Sequence, residues 1–280
     1  MTRYGMLIDV KKCSGCYNCF LACRDEYAGN EYPPYSQAQP PAGHYWMSID
    51  EKERGSFPKV KVDYIPLPCQ HCREASCIQA APAGTVYRRP DGIVLVDPVK
   101  SKGMKEIVSS CPYRVIYWNE EKEIPQKCTF CAHLLDQGWK VPRCVEACPT
   151  GALLFGDLED PGSEIAKAVK STAAEELHRE FGLKPSVLYA GLPKPFVAGE
   201  VVFADRREEC AKGVKVMLAD GGMELTMETD NYGDFEFKGL LPHHRYELRV
   251  VHPGYRTKEI AVNTRLDVNV GEITMEPEAN

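Results

Sequence analysis

"DVKKCSGCYNCFLACRD", residues 9–25, spaces its cysteines as C-x2-C-x2-C-x3-C, at Cys13, Cys16, Cys19 and Cys23. A run of this spacing wraps three thiolates around one face of a cubane iron–sulphur cluster and points its fourth cysteine toward a second cluster. Structural zinc more often pairs two separate C-x2-C knuckles. A proline usually follows the fourth cysteine, and Arg24 stands there instead.

The run recurs along the chain. "CQHCREASCIQAAPAG" supplies Cys69, Cys72 and Cys77, with Ala81 where a fourth ligand belongs. "DPVKSKGMKEIVSSCPYRV", residues 97–115, superposes on the first run but places Ser101, Met104, Ile107 and Cys111 at the ligand positions. "CTFCAHLLDQGWKVPRCVEACPTGA" supplies Cys128 and Cys131, a long insertion, then Cys144 and Cys148. After the fourth positions "APAGTVY", "CPYRVIY" and "CPTGALL" repeat a proline that ends the ligand helix and a short β-prone stretch. Four copies of one ferredoxin-like unit explain these features together.

In a two-cluster ferredoxin, three cysteines of one run join the last cysteine of its partner run. The four runs can be partnered in three ways, and two of these strand a cysteine beside an incomplete site. Partnering one with four and two with three leaves nothing over. It predicts one site of Cys13, Cys16, Cys19 and Cys148 and a second of Cys128, Cys131, Cys144 and Cys23. The third is Cys69, Cys72, Cys77 and Cys111, and Ala81, Ser101, Met104 and Ile107 mark one vacant site. Cys111 survives in a degenerate run because it serves a different cluster. Met104 and Ile107 are expected to fill the vacated volume as core.

Of 13 cysteines, only Cys210 lies beyond residue 148. Clustering at gaps of two to four residues favours metal ligation over a secreted disulfide scaffold. A net charge of −6 argues against a nucleic-acid partner. No apolar run approaches the ~20 residues that span a bilayer, so no direct membrane insertion is expected. No Ser–His–Asp set, phosphate loop or paired carboxylates point to catalysis within this chain.

Residues 24–62 read as a long proline- and tyrosine-rich insertion. Residues 163–181 read as helical, with Thr172-x-x-Glu175 capping a second helix that Gly182 ends. From Phe196 the period becomes two, at Val214, Val216 and Leu218, Phe235 and Phe237, Tyr246, Leu248 and Val250, Ile260 and Val262, and Val268 and Val270. With turns at 220–222 and 230–234, this predicts a small antiparallel sandwich or barrel. His71 and His133 lie within ligand runs but are not needed as ligands, and Trp118 and Trp139 read as core. Lys127 and Arg143, each preceding a ligand, either offset cluster charge or are ordinary solvated side chains.

The order of the runs and the insertion in the last resemble the electron-transfer subunits of the dimethyl sulfoxide reductase family of molybdenum enzymes, over roughly residues 1–190. "GIVLVDPVKSKGMKE" (92–106), "YWNEE" (117–121), "QKCTFCAHLLD" (126–136) and "GHYWMSIDEKERGSFP" (43–58) are similar to members acting on polyhydroxylated benzenes. "TDNYGDFEFKGL" (229–240) and "YELRVVHPGY" (246–255) resemble the transthyretin-like or carboxypeptidase-regulatory-like sandwich.

The resemblance implies an α+β fold of two interleaved ferredoxin-like cluster-binding units followed by an antiparallel β-sandwich or barrel. Residues 1–66 and 113–195 would form the first unit, 67–112 the second and 196–280 the β-domain. It implies three [4Fe-4S] clusters in a non-catalytic cytoplasmic subunit, and a large partner holding molybdenum on a bis-pterin guanine dinucleotide. The expected activity is hydroxyl transfer on aromatic substrates, with another aromatic hydroxylase or dehydroxylase, or a respiratory reductase, as alternative. If the family's zigzag row holds, the vacant site lies inside it and leaves the Cys69 group remote.

Overall fold

The computed structural model describes residues 2–278, which form two compact units. One runs to Glu51 and resumes from Tyr64 to Leu192, and the other takes Lys52–Asp63 and the chain from Pro193.

The first unit is built around a three-stranded sheet whose central strand, Tyr4–Asp9, pairs antiparallel with Leu153–Asp157 and parallel with Val187–Ala190. Met6 and Ile8 enter the main core from one face, while Leu7 meets Ile165 and Ala190 on the other. The central strand is therefore an unbroken apolar run, as strands covered on both faces are. Two short hairpins, Val86–Arg88 with Val94–Val96 and Tyr117–Asn119 with Ile124–Gln126, supply the rest of the β-structure around the ligand runs. Ligand helices Asn18–Tyr27, Ser76–Gln79, Glu106–Ser109 and Arg143–Glu146 are short, and the last three stop shortly before Pro82, Pro112 and Pro149.

Arg24, in the place of the usual proline, lets the first helix run on to Tyr27. Its guanidinium donates to Gln39 Oε1 at 2.6 Å and to the carbonyls of His44, Pro40 and Pro41 at 2.9, 3.0 and 2.7 Å. One side chain thus pins the proline-rich part of the insertion. Beyond it, Met47–Ser56 and Lys59–Pro68 form a hairpin. Its tip, placed by the sequence with the first ferredoxin-like unit, belongs to the C-terminal unit. Lys59 and Lys61, two residues apart on one face, meet Asp234 and Glu236 at the same period.

Only one helix forms where two were expected. Ser163 Oγ accepts the Ala166 N–H at 3.1 Å and starts Glu164–Ser171. Thr172 ends that helix by donating its hydroxyl to the Ala168 carbonyl, and Glu175 pairs with Tyr189 across a bridge. The backbone groups a second helix would use are taken, and only the 3₁₀ turn Arg179–Phe181 remains before Gly182.

The C-terminal unit is a sandwich of two sheets. One orders Asp234–Phe237, Val197–Phe203 and Val268–Met275, and the other orders Glu224–Glu228, Lys215–Ala219, Arg245–Val251 and Lys258–Asn263. Val201, Phe235 and Ile273 of the first share one core with Val216, Leu248 and Val262 of the second. The sheets are not wholly antiparallel, because Val197–Phe203 and Val268–Met275 run parallel. Period-two patterning marks faces and carries no strand direction, so the sequence could not show this. Leu248 is fully buried, and Leu248→Ala should lower stability by about 2–5 kcal/mol, read as a lower denaturation midpoint.

Candidate metal centres

The third residue of the first C-x2-C step in each run turns left-handed: Gly15 (φ 68°), His71 (φ 44°), Phe130 (φ 52°) and, in the degenerate run, Gly103 (φ 80°). Side chains avoid this region, so His71 and Phe130 hold strain of about 1–2 kcal/mol each. At Gly15 a Cβ would also come within 2.6 Å of the Tyr64 ring. The shared turn curls each loop around its first two ligand positions. Asp9 and Asp97 brace the first and third loops alike, their carboxylates accepting the N–H groups of Lys11 at 3.1 Å and of Val99 at 2.9 Å. The degenerate run therefore keeps the ligand-loop backbone and has lost only the sulphurs.

Twelve of the 13 free thiols fall into three electrostatic neighbourhoods, and the thirteenth, Cys210, is exposed. Burial raises Cys13, and burial with the charges of Cys13, Cys148 and Cys16 pushes Cys19 up to about 12. Burial lifts Cys23 far above the usual thiol range, and Cys128 and Cys131 lift it further. Cys144 rises likewise through burial and then Cys131, Cys128 and Cys23. Burial followed by Cys69, Cys111 and Cys77 raises Cys72. Cys69, Cys72, Cys77 and Cys111 line one pocket together with Val94 and Val115. Against burial, Cys148 is drawn down by the Thr150 hydroxyl and the backbone around Leu153 and Ala152.

Among the described residues no three His, Cys, Asp or Glu side chains could hold a single metal ion between them. Tetrahedral zinc needs sulphurs about 3.8 Å apart. A cubane needs a wider set, with each thiolate reaching a different iron, and the donor set is all-thiolate as such clusters require. The residues present fit that group.

Cys19 acts on Cys23 and Cys144, joining the first to the second, and Cys69 acts on Cys128, joining the second to the third. The vacant position lies four residues from Cys77 at Ala81 and four from Cys111 at Ile107. Ala81, Met104 and Ile107 pack into the core, and buried Ser101 Oγ has no hydrogen-bond partner among the described residues.

Other expectations need correction. Lys127 is buried, not solvated, and Trp139 is 41% exposed, lying 5.8 Å from the Arg143 guanidinium. Trp118 is half-buried, and the tryptophan in the core is Trp46. Arg143 pairs with Glu26 at 3.3 Å and with Glu146. His71 Nδ1 accepts the Val94 N–H at 3.0 Å, and the ring stacks on Phe130 at 3.8 Å. Burial, then the charges of Lys127 and Arg88, hold its pKa well below the usual imidazole range. Buried His133 meets Glu26 Oε1 at 2.9 Å. Sequence reading missed Tyr27, whose buried hydroxyl bonds Thr129 Oγ1 at 2.7 Å and supports the Cys131 thiolate. Nothing in its spacing marks it.

Residues 60–158 match the 4Fe-4S dicluster domain, and 197–276 match the carboxypeptidase regulatory-like domain. The chain is 45% identical over 248 residues to the pyrogallol hydroxytransferase small subunit of Pelobacter acidigallici, covering 86% of this chain and 88% of that one. It is 34% identical to a sulfite dehydrogenase subunit of Allochromatium vinosum, covering 68% and 83%. Against the arsenate respiratory reductase iron–sulfur subunit of Shewanella sp. (strain ANA-3), identity is 31%, covering 67% and 95%.

Proposed function

The chain belongs to the family of iron–sulphur subunits that includes the pyrogallol hydroxytransferase small subunit, and on that premise we propose that it carries electrons on three [4Fe-4S] clusters. Its partner would be a large catalytic subunit holding molybdenum on a bis-pterin guanine dinucleotide, most directly for hydroxyl transfer between pyrogallol and phloroglucinol. What supports this is that thiols of different runs bear on one another, Cys148 on Cys19 and Cys128 and Cys131 on Cys23. Cys148 joins Cys13, Cys16 and Cys19, while Cys23 joins Cys128, Cys131 and Cys144. Cys69, Cys72, Cys77 and Cys111 hold the third cluster.

Each cluster, when bound, takes up and returns one electron. The chain's own residues exclude water and place donors on the thiolates. The Phe130 N–H lies 3.4 Å from Cys128 Sγ, the Thr150 hydroxyl 3.7 Å from Cys148 Sγ, and Tyr27 supports Cys131. Cys16 is exposed and Cys13 and Cys148 half-buried, so the first cluster is the one the partner covers. An assembly of this kind needs a reducing setting, which favours the cytoplasm of an anaerobe.

A second reading, a relay in another molybdenum oxidoreductase such as a resorcinol hydroxylase, catechol dehydroxylase or respiratory reductase, draws on the sulfite dehydrogenase and arsenate reductase relatives. The wider cover of the pyrogallol hydroxytransferase subunit, 86% of this chain, extends beyond the first unit and favours the first reading. The test is metal content of the complex purified anaerobically. About twelve irons beside one molybdenum are expected. Iron without molybdenum or tungsten would overturn the reading.

A further inference from the structure

Lys127 is 2% exposed and makes no ion pair with a carboxylate among the described residues. Its ammonium donates to the carbonyl oxygen of Val94 and, at 3.1 Å, to that of Cys128. Val94 lines the cavity among Cys69, Cys72, Cys77 and Cys111, and Cys128 belongs to the second neighbourhood. One buried cation therefore sits where the second and third sites meet.

Two neutral carbonyls do not offset the loss of hydration of an ammonium, so a buried cation persists where negative charge lies close by. The thiolate sets on either side provide that charge. Lys127 draws down both the Cys77 and the Cys128 thiols against their burial. Cys13 and Cys19 answer to burial, their own backbone and neighbouring thiols.

We propose that the Lys127 ammonium is the shared counter-charge of the second and third clusters, raising both reduction potentials together while leaving the first cluster untouched. This rests on the three-cluster reading above. When one electron arrives at either site, the site gains one negative charge and the ammonium offsets it through the low-dielectric core. No bond forms or breaks and no proton moves. Arg143 cannot share the role, because Glu26 and Glu146 occupy its guanidinium.

The test is a dithionite titration of the intact complex, followed by electron paramagnetic resonance. Lys127→Gln keeps a donor and removes the charge, and Lys127→Arg keeps the charge. The first cluster's signal is the one that Cys16→Ser perturbs. Expected for Lys127→Gln is full iron, two potentials lowered together and the first cluster's potential fixed, with Lys127→Arg close to native. Iron lost from Lys127→Gln but kept in Lys127→Arg would also support the proposal, since charge is what they differ in. Full iron with unmoved potentials, or all three moving alike, would overturn it. Iron lost from both variants would overturn it too, leaving Lys127 as a packing clamp. Failure of the three-cluster reading would show separately, as native iron far below about twelve.

Discussion

Replacing Cys111 with alanine is expected to remove about four of about twelve irons, although the run that contains it has no other cysteine. Cys111 shares a cavity with Cys69, Cys72 and Cys77, so the missing iron should be that of the third cluster. A three-thiolate remnant would hold at most a degraded cluster with a changed resonance signal. The first and second clusters should persist, because their ligands come from other runs. Iron analysis with resonance spectroscopy reads the result. Retention of all iron, or loss of the first cluster's signal, would sink the crossed ligand set. The reciprocal change, Cys23→Ala, should remove the second cluster and leave the first, although Cys23 sits in the first run.

Removal of iron is expected to unfold the first unit and spare the second. Cys19, Cys23, Cys69, Cys72, Cys77, Cys128, Cys131 and Cys144 lie in the main core cluster beside Met6, Trp46 and Tyr189. Without metal, that core would contain cavities lined by desolvated thiols, and metal binding is there coupled to folding. The sandwich has its own core of Val201, Val216, Phe235 and Leu248, with no cysteine in it. After chelation, hydrogen exchange should show protection lost across residues 64–192 and kept across 197–276. Protection surviving in the first span would mean that packing alone holds it, and the clusters would be additions to a preformed scaffold.

The degenerate run shows why some of the site was legible and some was not. Its register is written in residue types, since Asp97, Gly103 and Cys111 stand where Asp9, Gly15 and Cys23 stand. The shared left-handed turn could have been read from the two glycines, but His71 and Phe130 hide it in the other runs. The period-two pattern marked the sandwich strands from Val214 onward that alternate large buried side chains, but not the first, Val197–Phe203, despite buried Val197, Val201 and Phe203. Glu224–Glu228, with only Leu225 and Met227 half-buried, was not marked either. A lysine before a cysteine reads the same whether buried or solvated, because only the Val94 carbonyl and the neighbouring thiols make burial tolerable.

The sequence by itself determined the spacing of the four ligand runs and the one partnering of runs that leaves no cysteine over. It could do so because ligand spacing is a local constraint that each loop must satisfy within a few residues. Tertiary structure alone decided the burial of Lys127 against the Val94 and Cys128 carbonyls, the assignment of the hairpin tip to the C-terminal unit and the parallel strand pair in the sandwich. Each of these depends on residues far apart in the chain meeting in a shared core, and no local pattern records which distant segment will arrive.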